Sequence, residues 1–162
     1  KQIQFILVPH EVSNENIQQF IQYLPDAHVY SSLLKNKVSF NNPILILDVV
    51  GLLNKVYRFG NINYIGGGFN SAGIHNILEA IIYEKIVLFG PNYSKYKEAV
   101  DIVQQKGAYC IKNDVEIENI ITLVKNKDVE IQDTIIKSQQ FIQQNIGSTT
   151  FIMQKLKTDL YL

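Results

Sequence analysis

Apolar residues recur along this chain in two rhythms. Short, largely apolar runs at Ile3–Val8, Ile44–Leu47, Ile62–Ile65, Ile86–Phe89 and Ala108–Ile111 predict buried strands. Between them, apolar positions recur every three or four residues, as on one face of a helix. Ile17, Phe20, Ile21 and Leu24 form such a stripe, predicting a helix over Asn14–Leu24 with Ser13 as N-cap and Pro25-Asp26 as its stop. Ala27–Tyr30 predicts a short second strand, and the polar segment Ser31–Asn42 a loop. Asp48, where strand gives way to helix, is predicted to cap a helix over Val49–Tyr57 that Gly60 closes. Further helices are predicted over Tyr93–Lys106, over Val115–Lys127 behind an Asn113-Asp114 cap, and over Asp128–Gln144. The last, over Thr149–Tyr161, is amphipathic and suited to docking on another domain.

Strands apolar throughout, alternating with helices, predict an α/β protein. The expected architecture is a Rossmann-like doubly wound parallel sheet of about six strands with helices on both faces and right-handed crossovers. In such sheets ligands bind beyond the C-terminal ends of the strands. Pro9–Glu11, Asp48, Gly66–Asn76 and Gly90–Tyr93 all follow strands and are expected on that edge.

The 162 residues suffice for one domain with a real core, so residues 1–162 are taken as a single domain. The chain opens directly into a strand without an initiating Met, which predicts a piece of a longer protein. Fifteen basic and fifteen acidic residues cancel, so no global field attracts nucleic acid. Arg58 is the only arginine, so any bidentate phosphate clamp within the chain falls to it. Cys110, the only cysteine, lies in an apolar run and reads as a small buried hydrophobe. No His/Cys/Asp/Glu spacing suggests a metal site, no Ser-His-Asp order suggests a hydrolase, and no apolar run is long enough to span a bilayer.

The chemistry concentrates in Asn63–Pro91, which reads strand, glycine-rich loop, helix, strand. Gly66, Gly67 and Gly68 admit two readings: a turn whose backbone amides face an anion, or a tight turn that packs helix against strand. The stretch is neither a G-x-G-x-x-G fingerprint opening a helix nor a P-loop with its lysine. His75 can donate to an anion or bond a loop carbonyl, and Asn76 can cap the helix. Glu79, one turn after His75, can accept two ribose hydroxyls or simply suit a helix N-terminus. His10 and Glu11 either reach the ligand edge or lie in a surface loop.

Several motifs resemble the C-terminal domain of Kdo (3-deoxy-D-manno-octulosonic acid) transferases, two-domain glycosyltransferases of the GT-B type. The family pattern D-x-x-G-x-L-x-x-x-Y is met by Asp48, Gly51, Leu53 and Tyr57. Ile65–Phe69 resembles V-G-G-(S/T/G)-F, Gly73–Ala80 resembles G-G-H-N-x-L-E-P, and Gly90-Pro91 and Leu7-Val8-Pro9 match further blocks. Ile74 stands for the family's second glycine, Ala80 for its proline and His10 for an arginine.

The resemblance implies a donor domain for CMP-Kdo. Gly66, Gly67, Gly68 and Phe69, with the start of the His75 helix, would hold the phosphate. Glu79 would bind ribose, Asn76 would orient the loop, His10 would replace the arginine, and Pro91 belongs to the same edge. No metal or other cofactor is implied. The catalytic base, a glutamate, would belong to an N-terminal domain absent from this chain, leaving no catalytic residue here and an inactive isolated domain. The full enzyme would transfer Kdo to a lipid A precursor in lipopolysaccharide biosynthesis, peripherally attached at the cytoplasmic face of the inner membrane. Two other readings stand: a GT-B transferase using a UDP- or GDP-sugar, and a non-catalytic nucleotide-binding module.

Overall fold

A computed structural model describes residues 3–36 and 41–159. The chain divides into two compact units, Lys1–Val56 and Tyr57–Leu162.

In the first unit, strands β1 (Phe5–Leu7), β2 (His28–Val29) and β3 (Ile44–Ile46) form a parallel sheet in the order β1-β3-β2. Ile46 and Leu47 are buried at the end of the central strand. The expectation of a buried first strand fails, because β1 lies at the edge of its sheet and Phe5 and Ile6 are 49% and 42% exposed. Helix α1 (Asn14–Tyr23) begins where expected, the Ser13 hydroxyl accepting the Asn16 N–H at 3.2 Å.

Two expectations in this unit are corrected by one interaction. Helix α2 (Tyr30–Asn36) occupies the first part of the segment read as a loop, and residues 37–40 of that segment lie outside the described residues. The Asp48 carboxylate accepts the Ser31 N–H at 2.9 Å and the Ser31 hydroxyl at 2.5 Å. Asp48 thus satisfies the first turn of α2 from across the unit, where charge and helix dipole favour it, and is not the cap of the segment that follows it. That segment is no long helix either. Gly51 takes φ +86°, outside the right-handed helical region, so α3 spans only Leu53–Val56, followed by a 3₁₀ turn over Tyr57–Phe59.

In the second unit, β4 (Ile62–Ile65), β5 (Ile86–Phe89) and β6 (Tyr109–Cys110) form a parallel sheet in that order. All four residues of β5 are buried. Side chains alternate along a strand, so β5 feeds two cores. Val87 and Phe89 join Ile77, Ala80 and Ile81 around helix α4 (Leu78–Ile81), with Ala99 and Ile102 of α5 (Lys97–Gln104). Ile86 and Leu88 face Ile120 of α6 (Asp114–Asn126) and Ile131 of α7 (Val129–Asn145) on the other side. At roughly 1.5–3 kcal/mol per buried apolar side chain, β5 alone contributes on the order of 6–12 kcal/mol of gross stabilisation.

The α/β class and the parallel strands are as expected. The six strands are hydrogen-bonded as two sheets of three, and helices cover both faces of the second sheet. Helix α5 starts at Lys97 rather than Tyr93, because Tyr96 holds an extended backbone and Tyr93 turns edge-on against Phe89 at 5.3 Å. Asn113 and Asp128 cap α6 and α7 through the N–H groups of Glu116 and Glu130. In the final helix, α8 (Ser148–Asp159), every residue from Thr149 onward is exposed, including Phe151, Ile152, Met153 and Leu156.

Candidate functional site

Two loops meet at the C-terminal end of the second sheet. The first leaves β4 at Gly66 and returns at Ile74, where Gly67 and Ile74 pair as an isolated antiparallel bridge. Its neck is closed by Gly68 N–H to Gly73 O at 2.8 Å and His75 N–H to Gly66 O at 3.1 Å. Two of the amides expected to face an anion therefore bond inside the loop. Gly67 and Gly68 both take φ +81°. A Cβ on Gly68 would sit 2.8 Å from Gly90 Cα, and one on Gly90 would sit 2.7 Å from Gly68 C. Both positions are glycine because the two backbones touch.

The second loop leaves β5 through Gly90 and the exposed Pro91. Asn92 joins it to the first, donating its N–H to Gly68 O at 2.8 Å and its side-chain amide to Asn70 O at 2.9 Å. The Tyr96 hydroxyl donates to Ala72 O at 3.3 Å. The predicted convergence of Gly66–Asn76 with Gly90–Tyr93 is thus seen within this unit. A cavity of about 430 Å³ opens between the loops, lined by Phe69, Asn70, Ser71, Asn92, Ser94 and Lys95. Asn70, Asn92 and Lys95 were not singled out by sequence. The available signal was the position of 92–95 directly after the Gly-Pro at a strand end.

On the Gly66 side the turn is flanked by His75, whose Cδ2 would lie 3.2 Å from a Cβ at Gly66. Beyond it Asn76 accepts the Leu78 N–H at 3.0 Å and donates to Glu79 Oε1 at 3.1 Å. Ile77 occupies the N-cap position of α4 without a side-chain cap bond; Asn76, one residue before it, ties the first N–H of the helix to the Glu79 carboxylate, and His75, Asn76 and Glu79 are all exposed. The helix they open is one turn long, shorter than its sequence suggests. Tyr57 also belongs here: burial first, and the Glu79 charge second, raise its phenol above the ordinary value, so it remains a protonated hydroxyl near that carboxylate.

His10 belongs to the first unit, where Pro9, Glu11, Asn16, Gln19 and Phe20 surround with it a hollow of about 290 Å³. Arg58 lies 6.0 Å over the Tyr83 ring. Cys110 is half-buried, and burial raises its thiol pKa. Among the described residues, no group of three or more His, Cys, Asp or Glu could hold a metal ion, and no helix is long and apolar enough to cross a membrane.

No family model matches the chain. It is 29% identical over 138 residues to a bifunctional glycosyltransferase/methyltransferase of Fusobacterium nucleatum, covering 80% of this chain and 21% of the relative. It is 27% identical over 134 residues to a 3-deoxy-D-manno-octulosonic acid transferase of Aquifex aeolicus, covering 81% of this chain and 36% of the relative. The chain thus spans about a third or less of these proteins. Its fold is that of the C-terminal CMP-Kdo binding domain of WaaA from Acinetobacter baumannii, with a TM-score of 0.72 and 19% identity over 85% of this chain and 72% of that structure. The resemblance carried by the glycine turn and the His75–Glu79 block is therefore matched, over most of the chain, by likeness to Kdo transferases.

Proposed function

We propose that this chain is the donor-binding domain of a Kdo transferase. The observation that carries the reading is that its glycine turn and the hydrogen-bonded Asn76–Glu79 pair lie together at a sheet's C-terminal end, in a chain similar to Kdo transferases over four-fifths of its length. The phosphate of CMP-Kdo would lie on Gly66–Phe69 with His75 beside it. Glu79, held by Asn76, would accept ribose hydroxyls. His10 would stand where the family carries arginine, and Pro91 would set the path of the second wall. Residues 1–162 would act as one nucleotide-sugar domain.

In the whole enzyme, a glutamate of an N-terminal domain would take the proton of an acceptor hydroxyl. The oxygen would attack the anomeric carbon as its bond to the phosphate breaks and CMP leaves. The acceptor would be a lipid A precursor, reached at the cytoplasmic face of the inner membrane in lipopolysaccharide biosynthesis. This chain alone would bind donor and transfer nothing.

Calorimetric titration with CMP, UDP and GDP tests the assignment: CMP is expected to bind most tightly, and a preference for UDP or GDP refutes it. Such a preference would favour a second reading, a transferase with another sugar donor. The likeness to the Fusobacterium protein, described as a glycosyltransferase without a named sugar, supports that alternative.

A further inference from the structure

The glycine turn has two flanks of different chemistry. Its Gly66 end adjoins His75, and beyond that Asn76 and Glu79. Its Gly68–Phe69 end adjoins the second loop and opens on the cavity of about 430 Å³, within the roughly 300–1,000 Å³ usual for ligand sites. With a phosphate on the turn and ribose toward Glu79, whatever the phosphate carries falls on the opposite flank, in that cavity. The lining there is polar through Asn70, Ser71, Asn92 and Ser94, and Lys95 is its only charged residue. The ion pairs among the described residues join Lys97, Lys137 and Lys155 to carboxylates; Lys95 takes part in none. The walls are fastened to each other by Asn92, so the cavity does not depend on a ligand to assemble it.

From this we infer that the cavity between the two loops is the subsite for the sugar acid of the donor, and that Lys95 is a specificity-determining residue that pairs with its carboxylate. The inference rests on the proposed donor reading. Kdo is an octulosonic acid, ionised at neutral pH. A single ammonium among hydroxyls and amides suits one carboxylate beside several sugar hydroxyls. The phosphate, lying at the turn, leaves that ammonium to the sugar.

The test is titration of this chain and of Lys95→Met and Lys95→Arg with CMP and with CMP-Kdo. Lys95→Met is expected to weaken CMP-Kdo about tenfold, the scale of a lost hydrogen bond to a charged group, and to leave CMP within about twofold. Lys95→Arg should restore most of the loss. Lys95 is exposed, so thermal melting should not change in either variant. Equal weakening of CMP and CMP-Kdo would assign the lysine to the phosphate and overturn the inference. So would unchanged affinity for both, or a native chain that binds CMP no less tightly than CMP-Kdo. A native chain that binds neither would refute the donor reading itself.

Discussion

Alanine at Gly68 and at Gly66, two residues apart in one turn, should behave as different mutations. Gly68 holds φ +81°, a region where an L side chain costs roughly 1–2 kcal/mol. Its Cβ would also meet Gly90 Cα and Ile74 Cγ2 at 2.8 Å and Gly90 C at 3.0 Å. Gly90 follows directly on the fully buried β5 and has little room to yield, so roughly 1–3 kcal/mol of overpacking adds to the backbone term. Gly68→Ala should therefore destabilise by roughly 2–5 kcal/mol and lower the melting temperature by on the order of 5–15 °C. Gly66 is not in the positive-φ region, and its Cβ would meet only the His75 ring edge at 3.2 Å. Gly66→Ala should leave melting within about 2 °C of the parent, since reduced freedom of the unfolded chain offsets a small shift of His75. Its effect should fall on CMP affinity, because the new methyl stands where the phosphate is proposed to lie. Circular-dichroism melts and CMP titration read both quantities. Gly68→Ala melting within about 2 °C of the parent would refute the close-approach argument.

Three further outcomes follow from the second unit. Ser138 is fully buried with its hydroxyl unpartnered, so Ser138→Ala should stabilise by about 1 kcal/mol and raise the melting temperature by about 2–4 °C; a fall would reveal a bond to that hydroxyl. Glu79→Gln should keep the Asn76 contact and the melting temperature but weaken CMP severalfold, whereas Asn76→Ala should also cost about 0.5–1.5 kcal/mol through the lost bond to the Leu78 N–H; equal melting of the two variants would sink that role of Asn76. Burial raises Tyr57, Tyr64, Tyr93 and Tyr109 above 10.0 and Cys110 above 9.0. The unfolded chain then loses these protons first, so their contribution is intact below pH 9 and declines as pH rises further; urea midpoints that stay flat from pH 8 to 11 would contradict it.

Elements that carry their own signal were legible in the sequence. The run at 86–89 is apolar on both faces, as a central parallel strand requires, and Ser13, Asn113 and Asp128 cap from within three residues. Helix α2 was not legible. Its seven residues, Tyr30–Asn36, are too few to show a helical period around Leu33 and Leu34, and the group that satisfies its first turn, Asp48, lies seventeen positions from Ser31. The helix after Asp48 was overread because spacing does not reveal the positive φ of Gly51. At the site, the glycine turn and the Asn76–Glu79 block stood out as local patterns. Asn92 and Lys95 did not, since what distinguishes them is a second loop brought alongside the first.

Asn92 fastens the turn after β4 to the loop after β5, and both loops spring from strands paired within one sheet. The two sides of the cavity are thus tied to each other and to one sheet. A ligand entering it finds its surroundings already ordered, so little of its binding free energy is lost to arranging them. On the proposed donor reading, discrimination among sugars then falls to the side chains that line the gap rather than to the arrangement of its backbone.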